Sequence, residues 1–210
     1  ASLGYTDVLT PNNLPGEEAA DVAARFLREK PAGPFLLTCG FIETHRERIS
    51  PEGFRAATYL QNMALLHFHR GDFRKAQAFL LQSNPDDVYY KLADRSLLAR
   101  IYFELRESEA LDNFLNAFAK FVFDQQKKIA APKVRSYRAF INNLRALHNL
   151  IHAVPSLYDD WRKRRPARHA SDREAVSSLV AEMAAAPVFY GQKWLLEKAA
   201  ELTLPPADHP

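Results

Sequence analysis

The 210 residues carry 28 Lys and Arg against 25 Asp and Glu, a formal charge of +3. So small an excess makes no global electrostatic case for nucleic acid. A hydrophobic share of 47% with 25% charged residues excludes extensive disorder, and the single cysteine, Cys39, excludes an intrachain disulfide and a cysteine-rich zinc site.

Residues 1–16, "ASLGYTDVLTPNNLPG", are turn-rich and aperiodic and read as an irregular lead-in. Glu17 and Glu18 suit the first turn of a helix, and Ala19, Val22, Ala23, Phe26 and Leu27 supply one apolar face. "KPAGP" stops that pattern. The apolar run Phe35–Ile42 follows, with the length and flanking prolines of a buried strand. "SPEG" at 50–53 punctuates next, with Ser50 as N-cap and Pro51 at the first helical position. From Phe54 onward helical patterns succeed one another, at about 54–69, 72–83, 87–105, 107–128, 133–152, 172–186 and 189–203. The aromatics Tyr89, Tyr90, Tyr102, Phe103, Phe114, Phe118, Phe121 and Phe123 fall on helical spacing and read as packing residues. No apolar run reaches the roughly 18–20 residues of a membrane span. No basic-then-apolar signal opens the chain, so a cytoplasmic location is expected; a signal removed before Ala1 is the other option.

The helical stretch has a period. Met63 and Leu97, His67 and Ile101, Ala76 and Ala110, and Leu80 and Phe114 are each 34 apart. Ala64 and Ala76 are small enough for two helices to approach closely, Gly71 can end the first, and Asp72 can cap the second. In the second unit Leu105 stands where the first has its glycine. Helix–turn–helix units of this length, with "NMALLHFHRGDFRKAQAFL", "DVYYKLADRSLLARIYFEL", "EALDNFLNAF" and "WLLEKAAEL", resemble bacterial tetratricopeptide-like proteins over about 55–205. The resemblance implies two degenerate antiparallel helix pairs extended by further helices into an all-α, or nearly all-α, short solenoid or bundle. It implies a domain at 54–205, an N-terminal extension at 1–53 that is irregular or holds one short strand, and a tail at 206–210. It also implies a non-catalytic scaffold or adaptor for a protein or peptide. The working surface is then expected on the first helices of the pairs, around Asn62, His69 and Arg100.

"AADVAARFLREKPAGPFLLTCGFIETHRER", 19–48, resembles a stretch of the sulfatase family, in which a loop histidine helps bind the sulfate; by position that is His45. The nucleophile motif C/S-x-P-x-R is missing, since Cys39 is followed by Gly-Phe-Ile, and no metal-site pair has a counterpart. Sulfate-ester hydrolysis needs both. The resemblance therefore implies at most an inactive hydrolase fragment centred on His45. Phe35–Ile42 has no partner strand, so it turns helical, lies extended over the helices, or pairs with a second chain.

Two constellations remain. His148 and His152 stand four apart, a metal-ligand spacing, but the intervening Asn-Leu-Ile supplies no general base, and two histidines at a helix edge is the plainer reading. "WRKRRPARH" (161–169) is the one basic cluster; Arg162, Lys163, Arg164, Arg165 and Arg168 would serve for nucleic acid or an acidic partner, or would simply be a solvated loop. No metal and no cofactor is expected.

Overall fold

Two residues with left-handed backbone set the repeat. In the computed structural model, which describes residues 51–203, Gly71 (φ 78°) and Arg106 (φ 61°) each close a helix. At the first, the Asp72 N–H reaches the His67 carbonyl at 2.8 Å and the Gly71 N–H reaches Phe68 at 3.0 Å. At the second, Glu107 reaches Tyr102 and Arg106 reaches Phe103, both at 3.1 Å. These are paired 6→1 and 5→2 terminations, which satisfy carbonyls that the helix leaves orphaned.

The described residues form eight helices and no strand, an all-α architecture. They are α1 (Pro51–His69), α2 (Phe73–Gln82), α3 (Val88–Glu104), α4 (Ser108–Gln125), α5 (Ala131–Ala153), α6 (Pro155–Arg162), α7 (Ala170–Ala185) and α8 (Gln192–Thr203). Neighbours in sequence pack as antiparallel pairs, α1 on α2, α3 on α4 and α7 on α8, while α5 meets α4, α6, α7 and α8. Asp87 opens α3 by accepting the backbone N–H groups of Tyr89 (2.8 Å) and Tyr90 (3.3 Å). Pro132 and Pro155 start α5 and α6, where a missing N–H costs nothing.

The repeat is 35 residues, not the 34 expected from sequence, because the terminators Gly71 and Arg106 stand 35 apart. Burial follows the longer step. Ala57 pairs with Leu92, Ala64 with Ala99, Phe68 with Phe103, Ala76 with Leu111 and Leu80 with Leu115, all buried. The Ala76–Ala110 identity that suggested 34 sets a buried residue against a half-buried one. Arg106, not Leu105, takes the place of the turn glycine. Asp72 begins α2 without a side-chain cap; its carboxylate instead meets His67 Nδ1 at 3.2 Å, and the His67 ring stacks on Phe79.

Helix α6 was not expected from sequence. Leu157 and Trp161, one turn apart, bury completely or nearly so and carry it into the core. The eight-residue span is too short for its period to stand out, although Pro155 marked its start. Among the expected packing aromatics Phe123 is the exception, at 60% exposed. The segment 19–48, with Cys39 and His45, lies outside the described residues, as do most of the expected N-terminal extension and the tail.

Two glycines predict different penalties. A Cβ at Gly71 would meet nothing within 4 Å, so Gly71→Ala should lose only the left-handed backbone cost, about 1–2 kcal/mol. At Gly191 (φ 73°) a Cβ would lie 2.8 Å from the Phe140 ring and 3.0 Å from the Arg100 guanidinium, so Gly191→Ala should lose more. Urea midpoints of the two variants test the order; equal losses would contradict it.

Candidate functional site: the shared face of the helix pairs

Helices α1 and α3 lie side by side, clipped by the Gln61 amide, which donates to Asp94 Oδ1 at 2.8 Å. The Ser83 hydroxyl donates to the other Asp94 oxygen at 2.7 Å, yet burial still raises this carboxyl above its ordinary value. Because the helices repeat every 35 residues, the α3 stripe Leu97, Arg100, Glu104 has its equivalent on α1 in Asn62, Leu65, His69. Both stripes follow helical spacing.

The two stripes have opposite fates. On α3 the stripe is covered. The Arg100 guanidinium lies over Tyr190 (5.1 Å), Trp194 (5.5 Å) and Phe140 (5.8 Å), with 6% of the residue exposed. Phe103, the neighbour of this stripe, contacts Trp161 and Trp194 edge-on or tilted at 5.4 and 5.6 Å. Glu104, 2% exposed, is met by Lys198 Nζ at 2.8 Å, and Lys198 also reaches Glu201 at 2.6 Å. Burial lowers the Lys198 value, but the two carboxylates outweigh it and hold the ammonium above its ordinary range. So α8, carrying Trp194 and Lys198, is seated against the α3 stripe. On α1 the corresponding Asn62 and His69 are exposed, Leu65 is half-buried, and Tyr59 at the edge is 59% exposed. Of the three residues expected to form the working surface, Asn62 and His69 are exposed, whereas Arg100 is buried beneath Tyr190, Trp194 and Phe140.

Three residues of the basic cluster are tied to buried acidic partners while keeping exposed surface. Asp160 is fully buried between Arg165 Nε (2.6 Å) and Arg168 Nε (3.0 Å), and it accepts the Arg168 backbone N–H at 2.9 Å. Burial alone would raise Asp160; these donors and charges more than reverse it and hold the carboxyl below its ordinary value. Arg164 (φ 52°) donates to the Glu104 carbonyl at 2.7 Å. Arg106 stacks on Trp161 at 4.4 Å while donating to the Trp161 and Phe103 carbonyls. Burial, helped by Arg164, brings Arg106 down to about 10. Arg162, Lys163, Arg164 and Arg168 are all exposed, with Arg162 over the Tyr158 ring at 5.8 Å.

The histidine pair is packed among aromatic rings, with Trp161 near both and Tyr158 beside His152. His148 and His152 rings are 4.3 Å apart, and among the described residues no group of three or more His, Cys, Asp or Glu side chains is placed to hold a metal ion. His148 is buried. Its Nδ1 lies 3.0 Å from Asp112 Oδ1. The Ser108 hydroxyl and His152 Nε2 are 2.8 Å apart. That is nucleophile–base spacing, but the carboxylate of the group faces His148, and a working dyad needs its base oriented. No helix of the described residues is long and apolar enough to cross a membrane. Comparison with family models, with curated proteins and with solved structures found no match.

Two outcomes follow. Lys198→Met leaves Glu104 buried without its ammonium and should cost about 3 kcal/mol by urea denaturation, a loss that Glu104→Gln on the same chain should largely recover. Burial holds His148 below the ordinary histidine value, with Asp112 opposing and His152 adding to the depression. The unfolded chain then takes up this proton first, so the stability is present above about pH 6.5 and drains away as pH falls below it. The melting midpoint should drop from about pH 7.5 to about pH 5.5, and His148→Gln should flatten that dependence; an unchanged slope would remove His148 as its source.

Proposed function

We propose that the chain is a non-catalytic helical-repeat interaction module, a scaffold or adaptor that receives a protein or peptide. The observation that supports it is the seating of α8 across the α3 stripe through Trp194 and Lys198. A face that accepts a helix from its own chain is continued on α1 by Asn62, Leu65 and His69, with polar and apolar residues mixed as at interfaces. Stacked helix pairs with such a continuous face suit binding of extended or helical segments.

Nucleic acid is less well served. Arg164, Arg165 and Arg168, though partly exposed, are engaged with Glu104 and Asp160, which offset their charge. Phosphate binding needs several free cations together. Selection from a random displayed-peptide library on the full chain should enrich specific sequences, whereas a generic DNA duplex should show no steep salt-dependent binding. Duplex binding that collapses with salt and disappears in Arg162→Gln/Lys163→Gln would overturn the proposal. So would turnover of an aryl sulfate with calcium that is lost in His45→Ala.

A further inference from the structure

Two side-chain bonds clip the solvent side of the seam between α4 and α5. Arg145 donates to the Asn116 amide oxygen at 3.1 Å, and Arg138 donates to that of Gln126 at 3.2 Å. Asn116, Lys120 and Phe123 share one flank of α4 at i, i+4, i+7 spacing, as Arg138, Asn142 and Arg145 share one flank of α5. Lys120, Phe123 and Asn142 are exposed between the clips, which lie about 15 Å apart along the helix. Phe123 is 60% exposed, with Lys120 one turn before it and Lys127 one turn after.

The charge of this stretch is one-sided. Lys127 and Arg135 are exposed beside the Arg138 clip. Helix α5 has no Asp or Glu along its length, and the last three turns of α4 hold one carboxylate, Asp124, paired with Lys120 at 2.8 Å. Arg138 and Arg145 bond neutral amides, which orient the guanidiniums without cancelling their charge. Arg165 and Arg168, by contrast, meet Asp160. Towards the other end of the seam the sign changes, because Glu109 and Asp112 precede Asn116 on the same flank. Asp112 and Lys120 are separated by about 12 Å of helix, more than the screening length of about 8 Å at physiological salt.

We infer that the α4–α5 seam docks an acidic amphipathic helix of a partner protein, with an apolar side chain on Phe123 and carboxylates to either side of it at Lys120, Lys127 and Arg138. This rests on the interaction-module reading and gives the partner its chemistry. The excess of cations sets the sign of the partner. The change of sign along the seam sets its class. A nucleic-acid duplex or an anionic lipid surface is negative throughout and would meet Glu109 and Asp112, whereas a short helix can confine its carboxylates to one end. The groove between two packed helices is also the seat that the side-chain ridges of a third helix fill.

A library of single helices displayed on a small helical scaffold tests this on the full chain. Enriched helices should carry Leu, Phe or Trp with Asp or Glu one turn to either side. Their binding should fall at least tenfold in Arg138→Glu and in Phe123→Ser, and replacing the helix carboxylates by lysine should restore binding to Arg138→Glu. Both positions are exposed, and an unchanged melting curve checks folding; where Arg138→Glu lowers it, Phe123→Ser decides. Arg162→Glu/Lys163→Glu, on the other basic segment, should bind as the unaltered chain does. Enriched helices that are neutral or basic, that ignore both seam variants, or that are lost equally in the Arg162 and Lys163 variant would overturn the inference while leaving the module reading standing. Binding of duplex DNA or of phosphatidylserine vesicles that Arg138→Glu abolishes would overturn it too. Failure of both this library and the random peptide library to yield a specific binder would overturn both readings.

Discussion

Glu104 is a carboxylate with almost no access to water, and the Lys198 ammonium at 2.8 Å is what makes its position tolerable. Removing an ion from water costs several kcal/mol unless charge and hydrogen bonds replace the solvent. Once Glu104 is buried, the position of α8 is constrained, because moving Lys198 away would leave the carboxylate without its cation. It is one point of a wider arrangement. Arg164 donates to the Glu104 carbonyl, Arg106 lies over Trp161, and Trp194 touches both Phe103 and the Arg100 guanidinium. The backbone joins in, since the Ala167 N–H reaches the Leu202 carbonyl at 2.8 Å and fixes the basic segment to the end of α8. The C-terminal helices thus meet the repeats through charged groups as well as through aromatic packing.

The same economy explains the basic segment. A run such as Arg162–Arg168 has the composition of a phosphate-binding patch. Its meaning depends on where carboxylates fall in three dimensions. Asp160, five and eight residues away from two of the arginines, is drawn into the core between them. Glu104 is 60 residues from Arg164 in the chain and is brought to it only by tertiary packing. The segment stays outward, with more than half of the Arg164 and Arg168 side chains exposed, but its charge is partly offset by Glu104 and Asp160.

The fold class was legible, and so were most helix boundaries, because helical periodicity and proline punctuation are local signals. The repeat was legible only to within one residue. Ala76 and Ala110 are identical in type, yet the match that counts is between Gly71 and Arg106, which differ in type and agree in backbone conformation. An arginine with positive φ leaves no compositional trace, whereas a glycine does. Helix α6 was hidden because eight residues span barely two turns. The burial of Arg100 was equally hidden: on α3 alone it looks like one more surface cation, and only the arrival of Tyr190, Trp194 and Phe140 from distant positions encloses it. Asn62 and His69, by contrast, are exposed, as their polar character on the sequence suggests.

Repeat arrays ordinarily grow by adding like units at either end, each new hairpin resting on the last. In this chain the second hairpin is followed not by another of its kind but by the long α5 and by α8, whose lysine and tryptophan take up the surface of α3 that a further unit would need. The bulky, charge-bearing C-terminal half is in that sense a stopper. A hairpin inserted after α4 would therefore have to displace a buried ion pair as well as apolar surface.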